Sequence, residues 1–196
     1  MIRFVVDGAE PNGATSKRSF DRVCDLGAGC GVIGITLVAL GVARRATLVE
    51  LDAEQAARCR ENLARHALTG EVLHADVATL RAPPAALVVC NPPYFASHEG
   101  RPPKDAQLAR ARIGALDVFA RAAALCTGAR GRACFVYPAR STTQLLHALA
   151  RAGLHAKRLQ FVHPSVSLPA RLVLVEAKHG RPGGLVVENA RTDQLS

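Results

Sequence analysis

The residues most able to carry out chemistry lie between Asn91 and Phe95, directly after an apolar run that ends at Cys90. Two consecutive prolines fix φ and remove two amide donors, so the main-chain carbonyls there can be held rigidly toward a ligand. The Asn91 side-chain oxygen and the Pro92 carbonyl can each accept a hydrogen bond from a planar –NH₂ group. Tyr94 can stack on a planar substrate. The segment therefore favours capture of an amine, with its nitrogen lone pair turned toward a methyl donor.

A glycine-rich segment, Asp25 to Gly31, is the second candidate site, because glycines let the backbone turn tightly and approach a ligand. The spacing of Gly29, Gly31 and Gly34 also satisfies the dinucleotide fingerprint G-x-G-x-x-G. Asp25 would repel a pyrophosphate, whereas it would attract a cationic sulfonium that carries an ammonium group. This charge argument favours S-adenosylmethionine as the cofactor over a nicotinamide dinucleotide.

Carboxylates end two further apolar runs and can bind the polar parts of a nucleoside. Glu50 is the candidate acceptor for both hydroxyls of a ribose. Asp52 competes for that role, but it also has the position of a helix N-cap, with Gln55 at the capping-box spacing. Asp76 follows the next run and can accept from the exocyclic amine of adenine.

These candidates occur where short apolar runs end, and the runs alternate with longer helical stretches, which is typical of a parallel sheet covered by helices. We predict strands at residues 22–25, 46–51, 71–74, 86–90, 132–137, 154–162 and 171–178. Helices are predicted at residues 32–40, 53–67, 105–126 and 142–152. In such sheets ligands bind beyond the carboxyl ends of the strands, so the candidate residues should meet in one crevice.

The two ends of the chain show less apolar periodicity than the middle. We expect residues 1–20 to be irregular and residues 181–196 to form a fraying tail, with one domain at residues 21–180 between them. The last two predicted strands have no helix between them and are expected to form an antiparallel hairpin. The net charge of +9 favours a polyanionic partner such as nucleic acid.

Several classes of protein are excluded or disfavoured by composition. The longest apolar runs are shorter than the ~20 residues of a membrane span, so no membrane partner is expected. The six cysteines contain no C-x-x-C pair and the histidines no ligand spacing, so no metal is expected. Reduced, buried thiols suit a cytoplasmic protein. Oligomeric state is not readable from these patterns.

Taken together, the Asp25 to Gly31 and Asn91 to Tyr94 motifs resemble those of class I S-adenosylmethionine-dependent amino-methyltransferases. The segments Val49 to Asp52, Val162 to Pro164 and Leu174 to Lys178 narrow the resemblance to the bacterial tRNA1(Val) adenine-N6 methyltransferase family. The resemblance covers roughly residues 21–188. It implies a Rossmann-like α/β fold, with a mostly parallel seven-stranded sheet, helices on both faces and one antiparallel edge strand. Relative to that family the N-terminal segment is expected to be shortened.

The resemblance implies that S-adenosylmethionine donates a methyl group to the N6 amine of adenine in tRNA. It assigns cofactor contacts to Asp25, Gly27, Gly29, Glu50 and Asp76. It assigns catalytic contacts to Asn91, Pro92 and Tyr94, and substrate contacts to Pro93 and Phe95. By position alone, phosphate contacts are expected from Arg101, Lys104, Arg110 or Arg112.

Three alternatives to this function stay open at this point. A protein glutamine-N5 methyltransferase shares the chemistry of the Asn91 motif, since an amide –NH₂ is also planar. A non-catalytic, nucleic-acid-binding paralogue would use its positive charge alone and would show no cofactor-induced rise in melting temperature. A nicotinamide dehydrogenase would bind NAD in place of S-adenosylmethionine.

Overall fold

The computed structural model describes residues 1–9, 19–93 and 106–192 of the chain. Within these residues there are five α-helices and nine β-strands. The helices are α1 (Ile2–Ala9), α2 (Val32–Ala39), α3 (Ala53–Arg65), α4 (Ala106–Cys126) and α5 (Thr142–Arg151). The strands are β1 (Phe20–Leu26), β2 (Ala43–Glu50), β3 (Gly70–His74), β4 (Ala85–Cys90), β5 (Thr127–Pro138), β6 (Leu154–His163), β7 (Leu172–His179), β8 (Val186–Val187) and β9 (Arg191–Thr192). None of the described helices is long and apolar enough to span a membrane.

The strands form one sheet in the order β3-β2-β1-β4-β5-β7-β6-β8, and β9 also pairs with β6. The first five strands are parallel, whereas β7 runs antiparallel to both β5 and β6. The predicted α/β fold with an antiparallel β6–β7 pair is therefore confirmed. The expectation of an antiparallel edge strand is wrong, because β7 inserts between β5 and β6 and lies inside the sheet.

Helices cover both faces of the sheet, and successive strand residues alternate between two cores. On β1, Val23 packs with side chains of α2 and α3, while Cys24 packs with side chains of α4 and α5. Both residues are almost fully buried. The near-continuous apolar sequence of the central strands follows from this burial on two sides. Polar side chains of these strands are therefore expected at the strand ends, where burial on both faces stops.

The N-terminal segment, predicted to be irregular over residues 1–20, begins with the helix α1. The side chains of Phe4 and Val5 are each 1% exposed, and they belong to two different apolar clusters. The Arg158 guanidinium lies 4.0 Å from the centroid of the Phe4 ring, and Arg191 forms a 2.6 Å ion pair with Asp7. The helix is thus stabilised by partners more than 150 residues away, which local periodicity does not reveal.

The predicted C-terminal tail also has more structure than expected. Both β8 and β9 pair in parallel with β6, and the Glu188 amide donates to the Leu159 carbonyl at 2.8 Å. The side-chain amide of Gln160 donates to the Asn189 carbonyl at 3.0 Å. A lone edge at β6 would leave unpaired main-chain groups, so these short strands cover part of it. Residues 193–196 lie outside the described part of the chain.

Candidate functional site

The carboxyl ends of the parallel strands enclose a cavity of about 450 Å³. Six of the residues predicted from the sequence line it together: Gly27, Gly29, Glu50, Asp76, Asn91 and Pro93. They lie at the end of, or just after, four different strands, so their convergence depends on the parallel arrangement of the sheet. A cavity of this size is typical of a small-molecule or cofactor site.

The glycine loop after β1 leaves room for a ligand at the floor of the cavity. Gly29 has φ +57°, and a Cβ built there would meet no heavy atom within 4 Å. At Gly31, with φ +87°, a Cβ would lie 2.6 Å from Cδ1 of Ile35. A side chain at Gly29 would therefore occupy open space that a ligand can use, and one at Gly31 would clash within the protein.

Glu50 fixes this loop through its carboxylate. Its Oε2 accepts a hydrogen bond from the Gly29 amide at 2.7 Å, and its Oε1 accepts from the Asp52 amide at 2.9 Å. Asp52 in turn caps α3, because its Oδ1 accepts from the Gln55 amide at 2.9 Å. The geometry favours Glu50 over Asp52 as the ribose ligand, since Glu50 lines the cavity and Asp52 is engaged at the helix terminus.

Two α3 side chains, to which the sequence assigned no role, bind the same loop from behind. The Cys59 thiol donates to the Gly29 carbonyl at 3.0 Å, and the Asn62 side-chain amide donates to the Cys30 carbonyl at 2.9 Å. Burial raises the pKa of Cys59 to about 11, which keeps the thiol protonated as a donor. The three-residue spacing of these side chains on one helix face is the signal that could have found them.

Asp25 lies beneath the glycine loop and is not one of the residues that line the cavity. Its side chain is 1% exposed, and Oδ2 accepts a hydrogen bond from the Gly34 amide at 2.8 Å. Burial raises the pKa of Asp25 to about 7, and the charge of Glu50 adds to the rise, against the opposing hydrogen bond from Gly34. Of the five predicted cofactor residues, Asp25 is the one that does not line the cavity.

The raised pKa of Asp25 makes the free energy of unfolding depend on pH. The unfolded chain ionises Asp25 near its usual pKa of 3.8, and the folded chain only near 7, so folding carries a cost that is absent below about pH 4. This cost grows to at most about 4 kcal/mol above pH 7. We expect Asp25→Asn to gain stability relative to the parent as pH rises from 5 to 8, as measured by urea unfolding. A stability difference that stays constant over this range would contradict the assignment.

Asp76 is exposed and stabilises its own turn, where Oδ1 accepts from the Ala78 amide at 2.8 Å. The neighbouring strand end is tied to the loop after β2, since His74 Nε2 lies 3.0 Å from the Leu51 carbonyl oxygen. Leu51 lines the cavity and is 63% exposed. Asp76 thus stands at the mouth of the cavity as an acceptor, next to an exposed aliphatic surface.

The Asn91 motif forms the far side of the cavity. Asn91 and Pro93 are exposed and line it, whereas Pro92 is buried. Tyr94 and Phe95 lie outside the described residues, as do two of the basic candidates, Arg101 and Lys104. The remaining candidates, Arg110 and Arg112, fall within α4, where the structure describes only the backbone.

Helix α4 contributes an apolar wall that the sequence did not indicate as part of the site. Ala115, Val118 and Phe119 line the cavity. The ring of Phe119 packs so close to Gly27 that a Cβ there would lie 3.0 Å from Cε1. Glu50 and Asp76 are the charged groups of the lining, which includes no Lys, Arg or His among the described residues. An acidic, partly apolar cavity disfavours a pyrophosphate and suits a cationic nucleoside.

The strand order with an inserted antiparallel β7, and a cavity between the glycine loop, Glu50 and Asn91, define a class I S-adenosylmethionine-dependent methyltransferase fold. The sequence model of the methyltransferase small domain matches residues 14–112. The chain belongs to the methyltransferase small-domain family. This confirms the class that the motifs predicted.

Curated relatives narrow the similarity further. The chain is 33% identical over 145 residues to a tRNA1(Val) (adenine(37)-N6)-methyltransferase of Tolumonas auensis, an alignment that covers 71% of this chain and 60% of the relative. It is 31% identical over 179 residues to the protein of the same name from Aeromonas hydrophila, covering 86% and 75%. The chain therefore spans about 60% and 75% of the lengths of these two relatives.

A solved structure supports the fold along most of the chain. A crystal structure of a predicted O-methyltransferase, protein Atu636 from Agrobacterium tumefaciens, superposes with a TM-score of 0.69 at 26% identity. It covers 91% of this chain and 82% of that protein.

Proposed function

We propose that the chain transfers a methyl group from S-adenosylmethionine to the N6 amine of adenine in tRNA. The observation that carries the proposal is the shared cavity: Asn91 at the end of β4 faces the same space as Gly29 and Glu50. A cofactor on Gly29 and Glu50 and an amine on Asn91 would lie side by side, as direct transfer between them requires. The names of the two relatives supply the nucleotide and the RNA.

The residues present fit S-adenosylmethionine. Gly29 offers open space where a side chain would otherwise stand, and the carboxylates of Glu50 and Asp76 can accept from hydroxyl and amine groups. When bound, the cofactor supplies an electrophilic methyl group on a sulfonium. We assign the ribose to Glu50 and the adenine amine to Asp76. The methionine end is assigned to the main chain of Gly27 and Gly29.

Asp25 acts on the cofactor site from below in this proposal. Its carboxylate is held on the Gly34 amide under the loop, so it contributes negative potential without direct contact. A cationic ligand above the loop would favour the ionised form of Asp25. The acid thereby discriminates for a sulfonium and against a phosphate.

At the amine end, the chain's own groups orient the target nitrogen. The Asn91 side-chain oxygen and the Pro92 carbonyl accept the two N–H hydrogens of the adenine amine, which directs the nitrogen lone pair toward the methyl donor. The methylated nitrogen is more acidic, so its extra proton passes to water without an ionisable base. Tyr94 and Phe95 are proposed to stack on the adenine and wall its pocket.

The tRNA partner is supported by charge as well as by the relatives. The chain carries 25 Lys and Arg against 16 Asp and Glu. Such an excess attracts the phosphate backbone at long range and strengthens binding at low salt. We place the protein in the cytoplasm, where its substrate would be found, and propose no metal and no membrane partner.

Transfer of a radiolabelled methyl group tests the reaction. The chain is incubated with labelled S-adenosylmethionine and an undermodified cell extract, and the labelled material is digested separately with RNase and with protease. We expect label that RNase releases and nucleoside analysis identifies as N6-methyladenosine. Label released by protease would instead identify a glutamine methyltransferase.

A thermal-shift measurement accompanies this assay. S-adenosylmethionine is expected to raise the melting temperature, since a ligand that binds only the folded chain stabilises it. Absence of both label and thermal shift in folded protein would contradict the proposed activity. A shift with NAD alone would identify a dinucleotide enzyme.

A further inference from the structure

The net positive charge of the chain falls in one part of the sequence, because that part has basic residues but no acids. Residues 118–175 contain seven Arg and one Lys but no Asp or Glu. Arg132 and Arg158 form ion pairs with Glu176, and Arg151 with Asp117, both acids lying just outside this stretch. Other cations of the segment, Arg140 and Arg171 among them, are exposed, and their position relative to the cavity decides what they can bind.

Two of these cations, Arg140 and Arg171, lie at the carboxyl edge of the sheet, where the cavity opens. Arg140 is in a 3-10 turn after β5, and Arg171 precedes β7; both are exposed. The Ala139 amide donates to the Arg171 carbonyl at 3.0 Å, which brings the two segments together. We define the carboxyl-edge shelf as Arg140 together with residues 164–171.

Strand register fixes the position of this shelf relative to the end of β4, which Asn91 follows. Cys90, the last residue of β4, pairs with Phe135, whereas β5 and β7 remain paired as far as Pro138 and Leu172. These strands thus extend three residues, about 10 Å, beyond the end of β4. Because β7 is two strands away from β4, the shelf is also displaced sideways by about 10 Å. A substrate whose amine reaches Asn91 would pass beside it.

The shelf is held in a defined shape that presents aliphatic side chains to solvent. His163 Nδ1 donates to the Leu168 carbonyl at 2.8 Å, and the Arg171 amide donates to the Val162 carbonyl at 2.8 Å. Within this loop Val166 is 92% exposed and Leu168 is 52% exposed. These two side chains do not pack into the core of the protein. Exposed apolar groups beside cations at a substrate entrance can instead contact a binding partner.

We propose that the carboxyl-edge shelf binds the RNA strand that flanks the target adenosine, with Arg140 and Arg171 on phosphates and Val166 and Leu168 against bases. The inference rests on the proposed function and specifies where the RNA lies. Cations give affinity for phosphates, and apolar side chains can contact the unstacked bases of a single-stranded loop. The complete lack of acids between residues 118 and 175 favours a polyanion over an acidic or neutral protein surface.

The proposal is tested by introducing glutamate at one basic and one apolar residue of the shelf, and at a matched pair of residues on the opposite edge of the sheet. Binding of an unmodified tRNA1(Val) transcript is measured by fluorescence anisotropy for the full chain, without cofactor. Arg171→Glu and Val166→Glu should each weaken RNA affinity by about 10-fold, as loss of a phosphate contact and added repulsion predict. The controls Arg130→Glu and Leu125→Glu, at exposed positions near the amino end of β5, should weaken it by less than about 3-fold.

The measured salt dependence separates a phosphate contact from damage to the fold. Arg171→Gln should lower the slope of log affinity against log salt by roughly 0.7 to 0.9, the effect of one lost phosphate contact. Val166→Glu, at a side chain that is 92% exposed, should retain the parent's melting temperature and its affinity for S-adenosylmethionine. A variant that merely unfolded would lose RNA affinity, melting temperature and cofactor affinity together.

The outcomes distinguish failure of this inference from failure of the proposed function. If the parent methylates the transcript and the shelf variants bind it as tightly as the controls do, the shelf has no role in RNA binding and the inference alone is overturned. If the parent neither binds nor methylates the transcript, the proposed function fails, and the shelf proposal fails with it. Equal weakening by shelf and control variants would indicate a general charge effect and would also overturn the inference.

Discussion

Replacing Asn91 by Ala should lower methyl-transfer turnover by at least about 100-fold while leaving S-adenosylmethionine affinity close to that of the parent. The side-chain oxygen is proposed to accept from the target amine, and loss of one preorganised contact to a reacting group typically has this effect on rate. Asn91 is exposed at the end of β4, so the substitution should change the free energy of unfolding by less than about 0.5 kcal/mol. Single-turnover assays with the tRNA transcript, together with cofactor titration calorimetry, measure both quantities.

Asn189→Ala provides a matched control for this experiment. Asn189 is also exposed, and its described contact uses only the main-chain carbonyl, which the substitution preserves. This variant should retain the parent's turnover. Methylation by Asn91→Ala at a rate near that of the control would refute the catalytic role of the Asn91 amide and leave the motif as a Pro-rich turn.

The elements that position this site were predictable because each is defined by local pattern. The predicted helix at residues 105–126 corresponds to α4 at Ala106–Cys126, and the predicted strand at 86–90 to β4 at Ala85–Cys90. Once the strands are known to be parallel, their carboxyl ends must share one edge. For this reason residues as distant in sequence as Gly27 and Asn91 were expected in one crevice, and they line one cavity.

The parts that the sequence did not reveal depend on contacts between distant segments. Helix α1 buries Phe4 and Val5 in two apolar clusters. It is also held by Arg158 and Arg191, which are distant from it in sequence. The insertion of β7 between β5 and β6 could not be predicted, because the succession of strands along the chain is compatible with more than one order in the sheet. Cys59, to which the sequence assigned no role at the site, donates to the glycine loop across the packed interface of α3. Such contacts become visible only when the packing is known.

The position of Asp25 illustrates the same limit at the level of a single side chain. Its charge, next to the glycines, indicated the kind of ligand, but its direction could not be read from the sequence. The last residues of β1 alternate between the two faces of the sheet, and Asp25 points toward Gly34 on α2. An acid at this position therefore acts on the loop from within the protein. The charged side chains that line the cavity are those of Glu50 and Asp76.

Replacing Glu50 by Ala should weaken S-adenosylmethionine binding by about 10- to 100-fold. The carboxylate accepts from the Gly29 amide at 2.7 Å and is proposed to accept from the ribose hydroxyls, and hydrogen bonds to a charged group contribute about 1.5–3 kcal/mol each. Titration calorimetry measures the affinity, and turnover at saturating cofactor should fall less than affinity does, because Glu50 is not proposed to touch the amine. A fall confined to turnover would contradict the ribose assignment.

Asp52→Ala separates the ribose role from helix capping, since Glu50 ends β2 and Asp52 lies only two residues later. The Asp52 carboxylate accepts from the Gln55 amide at 2.9 Å, so its removal should lower the free energy of unfolding by about 1 kcal/mol. Cofactor affinity should stay within about 3-fold of the parent, because a helix cap at the surface leaves the cavity lining unchanged. The opposite result, with affinity lost in Asp52→Ala and kept in Glu50→Ala, would transfer the ribose to Asp52. It would also require the first turn of α3 to give up its cap whenever cofactor binds.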